Sequence, residues 1–349
     1  MPSKLILCST FRHYFLGISL ALTDKRSDYH IAFIDQKTTK ETNLILQLAA
    51  NTPTPFASVS ILPPAPSGSQ LKKRTYRKHC FSILEELITK TTPNEIITGN
   101  DRRVEFQFCM HFSEKQFSRK ILGSHIDDGT GSYIHPSLYN KTKVWIDEHL
   151  DTAIKRAIYG RWYSYVGQLG YSEWTSKLYL TLPKLITQKT KKTVHELTPR
   201  SILSPEGIKL LKEIFNDNTE APHEKLEVVF ALPHSSLYEK LYGSRDKLLT
   251  IINGISHQHK NIYIKYHPRD LDDPLNIKDK YEMLRSEFPI EYYLVTRDIQ
   301  HLISDISTSL LSAKWINPNM NVQYLPTQSE FSIPIQDLFK KVAISPLNH

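Results

Sequence analysis

An α/β protein built from two Rossmann-like units is predicted, on three observations. Short β-branched and aromatic runs alternate with stretches of helical length along the whole chain. At 349 residues the chain exceeds one ordinary domain and fits two of roughly 150 residues each. A polar, lysine-bearing stretch at residues 186–204 separates the two series, so the units are read as 1–190 and 191–349, with the C-terminal tail expected to pack back on the first.

Composition narrows the class. Lysine and arginine number 44 against 36 acidic residues, a net charge of +8. Such an excess suits an acidic partner: a nucleotide, an anionic glycan, a membrane surface or nucleic acid. The three cysteines, Cys8, Cys80 and Cys109, have no metal-type spacing, which points to a reducing compartment without a disulfide framework. The apolar start at Lys4–Cys8 is broken by Arg12 and His13. No window approaches the roughly 20 apolar residues of a membrane span, so a soluble or peripheral protein is expected.

In the first unit, Lys4–Cys8 is read as a strand and Phe11–Leu22 as a helix capped by Ser9 or Thr10. Tyr29–Ile34 is a second strand, Asn43–Ala50 a helix, and Val59–Leu62 a short strand inside a proline-rich loop. The basic run Lys72–His79 leads into a helix at Cys80–Thr89. A solvated face is its ordinary meaning; a surface for a polyanion or anionic lipid is the sharper one. Glu95–Thr98, Val104–His111 and Ile121–Ile126 are read as strands, and Val144–Tyr159 as a helix.

Pro205 opens a helix at Glu206–Phe215 in the second unit. Strands follow at Glu227–Leu232, Asn261–Tyr266 and Tyr292–Val295, with helices at Leu237–Ile255, Tyr281–Glu287, Asp298–Ser304 and from Leu310.

The chemistry concentrates where strands end. Pro268 biases His267 away from helical geometry, which holds its imidazole at the carboxyl edge of a sheet, the edge where open α/β sheets bind ligands. An imidazole there can pass a proton to a leaving group at neutral pH, although a His-Pro exit by itself is most often a turn. Parallel strands would bring it together with Pro233-His234-Ser235-Ser236 and Ser307-Thr308-Ser309. Hydroxyls and free N–H groups at a helix start hold phosphate. Neither a Gly-rich dinucleotide fingerprint nor a Walker loop is present. Asp270-Leu271-Asp272 reads as a solvated turn, and His257 and His259 lack a third ligand, so metal-free chemistry is preferred. Asp127-Asp128-Gly129 closes a strand: two adjacent carboxylates repel, which can raise one pKa toward a general base, while an Asp-Gly pair alone is a common turn.

Together, Asp127-Asp128-Gly129, Lys265-Tyr266-His267-Pro268 and Thr308-Ser309 resemble the D/E-D/E-G, HP and Ser-Ser/Thr motifs of bacterial sialyltransferases, and Phe288-Pro289-Ile290-Glu291 resembles their Pro-x-Glu segment. The lipooligosaccharide sialyltransferase and capsular polysialyltransferase families are the nearest resemblances. They imply a GT-B fold of two Rossmann-like domains facing across a cleft, with an acceptor-binding N-terminal domain and a CMP-sugar-binding C-terminal one. The implied reaction is inverting and metal-independent. It uses no cofactor, takes CMP-sialic acid as donor substrate, and has an anionic or galactose-containing glycan as acceptor. Asp127 is implied as base beside Asp128, with Asp246 as the alternative. His267 would bind or protonate the departing CMP phosphate, Thr308 and Ser309 would hold its oxygens, and Glu291 would bond the ribose. Lys265, Pro268, Ser307, Pro233 and Ser235 complete the implied CMP site. Ser9, Thr10, His13, Asn100, Asp101 and Gly129 are the implied acceptor contacts. A cytoplasmic enzyme with peripheral contact at the inner membrane and no nucleic-acid partner is expected. Another CMP-activated acidic sugar (a Kdo, legionaminic or pseudaminic acid) or a non-catalytic polyanion-binding GT-B protein are the alternatives.

Overall fold

The computed structural model describes residues 1–34, 47, 55–64, 66, 70–135, 141–186, 189–218, 225–270, 272–327 and 333–347. The helix expected at 43–50 lies outside these apart from Gln47. The chain divides into two compact units, Met1–Ile202 and Leu203–His349.

The first unit carries strands β1 (Ser3–Cys8), β2 (Asp28–Phe33), β3 (Ser58–Ile61), β4 (Glu95–Thr98), β5 (Leu122–Ile126), β6 (Lys177–Leu180) and β7 (Thr193–Glu196). They form one sheet in the order β3-β2-β1-β4-β5-β6-β7, every pairing parallel. Parallel neighbours need crossovers, and helices supply most of them: α1 (Phe11–Thr23), α2 (Gln70–Thr91), α3 (Val104–Phe117), α4 (Thr130–Tyr133), α5 (Lys141–Ile146) and α6 (Thr152–Tyr159). The second unit repeats the plan. Its strands β8 (Lys225–Ala231), β9 (Ile262–Lys265), β10 (Glu282–Leu284), β11 (Asp298–Ser304), β12 (Asn321–Tyr324) and β13 (Ser345–Pro346) order as β10-β9-β8-β11-β12-β13. They too pair only in parallel. Its helices are α7 (Pro205–Ile214), α8 (Tyr238–Tyr242), α9 (Arg245–Ser256), α10 (Ile290–Thr296), α11 (Thr308–Ile316) and α12 (Ile333–Lys340). Each sheet thus reverses direction of growth once, between β1 and β4 and between β8 and β11. Those two switch points are where open α/β sheets take ligands.

Several sequence readings are corrected. Val104–His111 is not a strand but most of α3, the crossover from β4 to its parallel neighbour β5. Its false alternation arises because both of its sides are covered: Phe106, Cys109 and Met110 enter the core, while Phe108 stacks on Phe81 at 4.0 Å and approaches Trp162. The expected helix at Tyr281–Glu287 holds strand β10, and the expected strand at Tyr292–Val295 is helix α10. All seven residues of α10 are buried, so no polar face marks a helical period. Asp298–Ser304, expected as helix, is the central strand β11, with the alternating burial of a pleated strand at its start. The stretch 186–204 is not a free linker, because β7 pairs with β6 inside it. The unit boundary therefore falls after Ile202 and not at residue 190. The tail adds β13 to the second sheet beside β12.

At the amino end of the first sheet, Glu95 is almost fully buried. Its carboxylate lies 3.4 Å from Lys4 and 3.4 Å from Lys177, and accepts hydrogen bonds from Ser124 at 2.5 Å and Tyr179 at 3.0 Å. Four strands meet there. Removing one member of such a buried set leaves the others uncompensated, at a cost of about 3 kcal/mol. Glu95→Ala is accordingly expected to lower the urea midpoint while leaving the slope of the transition unchanged; an unshifted midpoint would show that the network contributes nothing.

Candidate active site

At the first switch point, three loops leave the carboxyl ends of the neighbouring strands β1, β4 and β5. Thr10 caps α1 by accepting the His13 N–H at 3.3 Å, which sets His13 in the first turn, fully buried. The ring's Nδ1 accepts the Ser9 N–H at 3.3 Å. A neutral ring so engaged carries its proton on Nε2, and Nε2 donates to Asp128 Oδ1 at 2.6 Å. The loop after β4 must be glycine at residue 99: a Cβ there would lie 1.8 Å from His13 Nε2.

Asp128 is the reachable carboxylate of the pair, with a side chain 24% exposed. Its backbone N–H donates to Ser132 Oγ at 2.8 Å, and Ser132 meets His125 Nε2 at 2.9 Å. Among the described residues Oδ2 of Asp128 accepts no hydrogen bond, so one oxygen is oriented by His13 and the other is open.

Asp127 is different in kind. It is fully buried and ion-paired with Arg12 at 3.1 Å. It also accepts from the Gly129 N–H at 2.6 Å, the Thr181 N–H at 3.0 Å, and the Thr181 and Tyr133 hydroxyls. Burial alone would raise its pKa, but Arg12, Thr181 and Tyr133 together hold the carboxyl below the ordinary range. The raised pKa expected of this pair is thus reversed at Asp127, whose lone pairs are already taken. Asp101 is likewise not an exposed contact: buried, it accepts the Gly170 and Ser172 N–H groups at 3.0 and 2.9 Å. Asn100 makes a side-chain turn with the Arg102 N–H at 3.2 Å. Gly129 takes φ of 77°, a left-handed value that favours glycine.

The second switch point gathers the loops after β8, β9 and β11, as parallel strands require. His267 follows β9. Its Nδ1 accepts the Arg269 N–H at 3.2 Å, which leaves Nε2–H as a donor with no hydrogen-bond partner among the described residues. Burial, with help from Arg269, His234 and Lys265, pushes its pKa down to about 4, so the ring is neutral at pH 7. The His234 ring stands edge-on to it at 5.5 Å. Asp270, read from sequence as part of a solvated turn, is buried. It accepts the Ser235 N–H at 3.0 Å and the Ser235 hydroxyl at 2.7 Å. Ser235 therefore ties the β8 loop to the β9 loop, and Pro233 before it is buried.

Helix α11 begins behind Ser307, which makes no side-chain cap; its hydroxyl bonds that of Ser309 instead. The Thr308 hydroxyl has no hydrogen-bond partner among the described residues. The first turn of α11 thus presents an uncapped amino end and a free hydroxyl, the ordinary receptor for a phosphate. Lys265 points elsewhere: buried, its Nζ donates to the carbonyls of Tyr266 at 2.6 Å and Ser286 at 2.9 Å. Burial lowers its pKa to about 7 against the pull of Glu291. Glu291, also buried, accepts the Ser312 hydroxyl at 3.2 Å. Pro268 is half-buried and Asp246 is exposed in the first turn of α9.

Sequence reasoning missed Arg12, Tyr133 and Thr181 around Asp127, and the buried Asp270 that anchors Ser235 beside His267. Asp270, three residues after His267, and Tyr133, six after Asp127, are local in sequence; Arg12 and Thr181 come from distant segments.

The alpha-2,8-polysialyltransferase (POLYST) family model matches residues 24–325. Among solved structures, UDP-GlcNAc 2-epimerase from Methanocaldococcus jannaschii is similar with a TM-score of 0.55 at 13% identity, over 100% of this chain and 89% of that one. Phytolacca americana UGT2, complexed with UDP-2fluoro-glucose and pterostilbene, gives 0.52 at 12% identity over 100% and 86%. These likenesses establish a GT-B type of fold. No curated protein matches the sequence. With the family match spanning most of the chain, from β2 through the second switch point, this protein belongs to the alpha-2,8-polysialyltransferase family.

Proposed function

We propose that the protein transfers sialic acid from CMP-sialic acid to a hydroxyl of a sialylated cell-surface glycan, with inversion and without a metal. The observation that carries this reading is the His13–Asp128 pair at the first switch point, in a chain of this family. Asp128 Oδ2 takes the proton of the acceptor hydroxyl as its oxygen attacks the anomeric carbon. The bond from that carbon to the CMP phosphate oxygen breaks through an oxocarbenium-like state, and configuration inverts. CMP leaves as a phosphate monoester whose second pKa is near 6, so it needs hydrogen bonds and not a proton. His267 Nε2–H, the Thr308 hydroxyl and the amino end of α11 supply them, where stabilising developing charge is commonly the largest catalytic contribution. Asp127 acts through position: it fixes the loop that carries Asp128. Lys265 and Ser235 brace the CMP loops in the same way.

The roles separate by mutation. Asp128→Asn should fold normally, bind CMP, and lose roughly 10²–10⁴ in kcat. Asp127→Asn should instead lower the unfolding midpoint, because the buried Arg12 guanidinium loses the opposing charge. Full activity in Asp128→Asn, or its loss in Asp246→Asn alone, would move the base. The reaction itself is tested by incubating the protein with CMP-sialic acid and sialylated oligosaccharides, the product read by mass; turnover with only another CMP-activated acidic sugar would replace the donor.

His267→Ala should cost about 10²–10³ in kcat, with His267→Gln recovering part of it as a neutral donor. Because the folded pKa lies below the ordinary 6.5, protonation occurs only as pH falls toward 4. The His267 ring resonance in the free protein should therefore not titrate between about pH 5.5 and 8. A midpoint near 6.5 would remove the neutral-donor assignment. Activity should survive EDTA; loss restored by a divalent cation would overturn the metal-free scheme.

A further inference from the structure

The second sheet has a cavity at the edge opposite its switch point, where the carboxyl end of α9 meets the amino ends of β9 and β10. Its volume of about 290 Å³ is at the small end of the range for ligand pockets, roughly 300–1,000 Å³. The walls include His259, Lys260, Ile262, Lys280, Tyr281 and Glu282. A strand rises about 3.3 Å per residue, so Ile262 and His267 lie roughly 16 Å apart. One sugar cannot touch both.

The polar groups of these walls are of two kinds and do not satisfy each other. Lys260 and Glu282 are exposed, and among the described residues neither side chain makes an ion pair or a hydrogen bond. Lys280 is anchored, its Nζ donating to Asn253 Oδ1 at 2.6 Å, and the Tyr281 hydroxyl donates to the same oxygen at 2.7 Å. An ammonium has three N–H groups, so Lys280 keeps donors to spare. His259 Nδ1 donates to Glu227 Oε1 at 3.0 Å, and the other Glu227 oxygen accepts the Asn261 N–H at 3.1 Å. A neutral ring donating from Nδ1 presents Nε2 as an acceptor. The cavity therefore offers ammonium donors beside a carboxylate and an imidazole lone pair.

That mixture selects its ligand. A phosphate would suit the lysines but meet Glu282, a like charge. A divalent cation would suit Glu282 but meet two ammonium groups. A neutral sugar would leave the ammonium groups without an opposing charge. A sugar acid answers both halves: its carboxylate accepts from Lys260 and Lys280, and its hydroxyls donate to Glu282 and His259.

We propose that this cavity binds one sugar acid residue of a glycan chain, at a site separate from the reacting end. In a sialyltransferase that residue is a sialic acid of the acceptor; its identity rests on the reaction proposed above, whereas the match of carboxylate and hydroxyls to the walls does not.

The test follows the backbone amide resonances of Asn261 and Glu282 in the isotope-labelled full chain during titration with the methyl glycoside of sialic acid. Methyl glucoside and inorganic phosphate serve as comparisons. The sialoside should shift both amides saturably, and the other two should not. Lys260→Glu should weaken the sialoside by about fivefold or more, while Lys260→Arg, which keeps the charge, should bind as the wild type does. Lys260 is exposed, so neither change disturbs the core. Absence of a shift with the sialoside, an equal response to phosphate or methyl glucoside, or unaltered affinity in Lys260→Glu would each overturn the proposal. No CMP-sugar is present in this titration. A protein that transfers sialic acid without these shifts would lose this site alone, and one that shows the shifts without transfer would lose the proposed reaction alone.

Discussion

The buried ion pair between Arg12 and Asp127 is the constraint on which the first unit's chemistry rests. A carboxylate with no exposed surface is tolerated only when its charge is matched and its lone pairs are filled. Here the partners come from three places: Arg12 from the start of α1, Gly129 and Tyr133 from the turn after β5, and Thr181 from the end of β6. Those are the segments that leave the carboxyl edge of the sheet. Satisfying one buried charge therefore fixes three loops at once, and the residues next to the pair in sequence, His13 and Asp128, are held at 2.6 Å as a consequence. Two adjacent carboxylates divide the labour because their surroundings differ: one spends all its hydrogen-bonding capacity inward, the other keeps an oxygen free.

The second unit reaches a comparable result by different means. Among the described residues its switch point has no buried arginine–carboxylate pair. Asp270 holds the β8 loop through Ser235, and the Ser304 hydroxyl donates to the Ala231 carbonyl at 2.7 Å, tying the ends of β11 and β8 together. Lys265 braces the β9 exit against Ser286. What this leaves facing outward is neutral or partly positive: an imidazole N–H, a hydroxyl and a helix amino end. That set suits an anion. The first unit's set, a carboxylate with one open oxygen, suits a proton. The division of roles follows from which polar groups each edge leaves unspent.

Much of this was legible in the chain. Short strands such as Lys4–Cys8, Glu95–Thr98 and Ile262–Lys265 stood out because both faces of a parallel sheet are covered, so apolar residues run consecutively within them. The convergence of the His234, His267 and Ser307 loops followed from that parallel reading. Legibility failed where burial erased period. Helix α10, buried on all sides, read as a strand; α3, covered outside by Phe81 and Trp162, showed a spurious alternation. It failed again at Asp127 and Asp128. The motif marks both, but which one is saturated depends on Arg12, Tyr133 and Thr181, and the last of these is more than fifty residues away in sequence. No local pattern encodes that choice.

The depressed basicity of His267 bears on the leaving group as well. An imidazolium would be the stronger electrostatic partner for a phosphate, yet burial of the ring, and after it Arg269, His234 and Lys265, oppose a charge there. A neutral ring holds one proton on Nε2, while Nδ1 is engaged by the Arg269 N–H. The direction of that N–H is thus fixed in advance, so under the proposed reaction it would need no reorganisation as the C–O bond lengthens. A CMP leaving group makes this sufficient, since its oxygen departs as part of a stable phosphate and not as an alkoxide that must be protonated. An edge built for an alkoxide would need an acid with a pKa near neutrality; this one offers oriented hydrogen bonds, which under the proposed function would suit a nucleoside monophosphate.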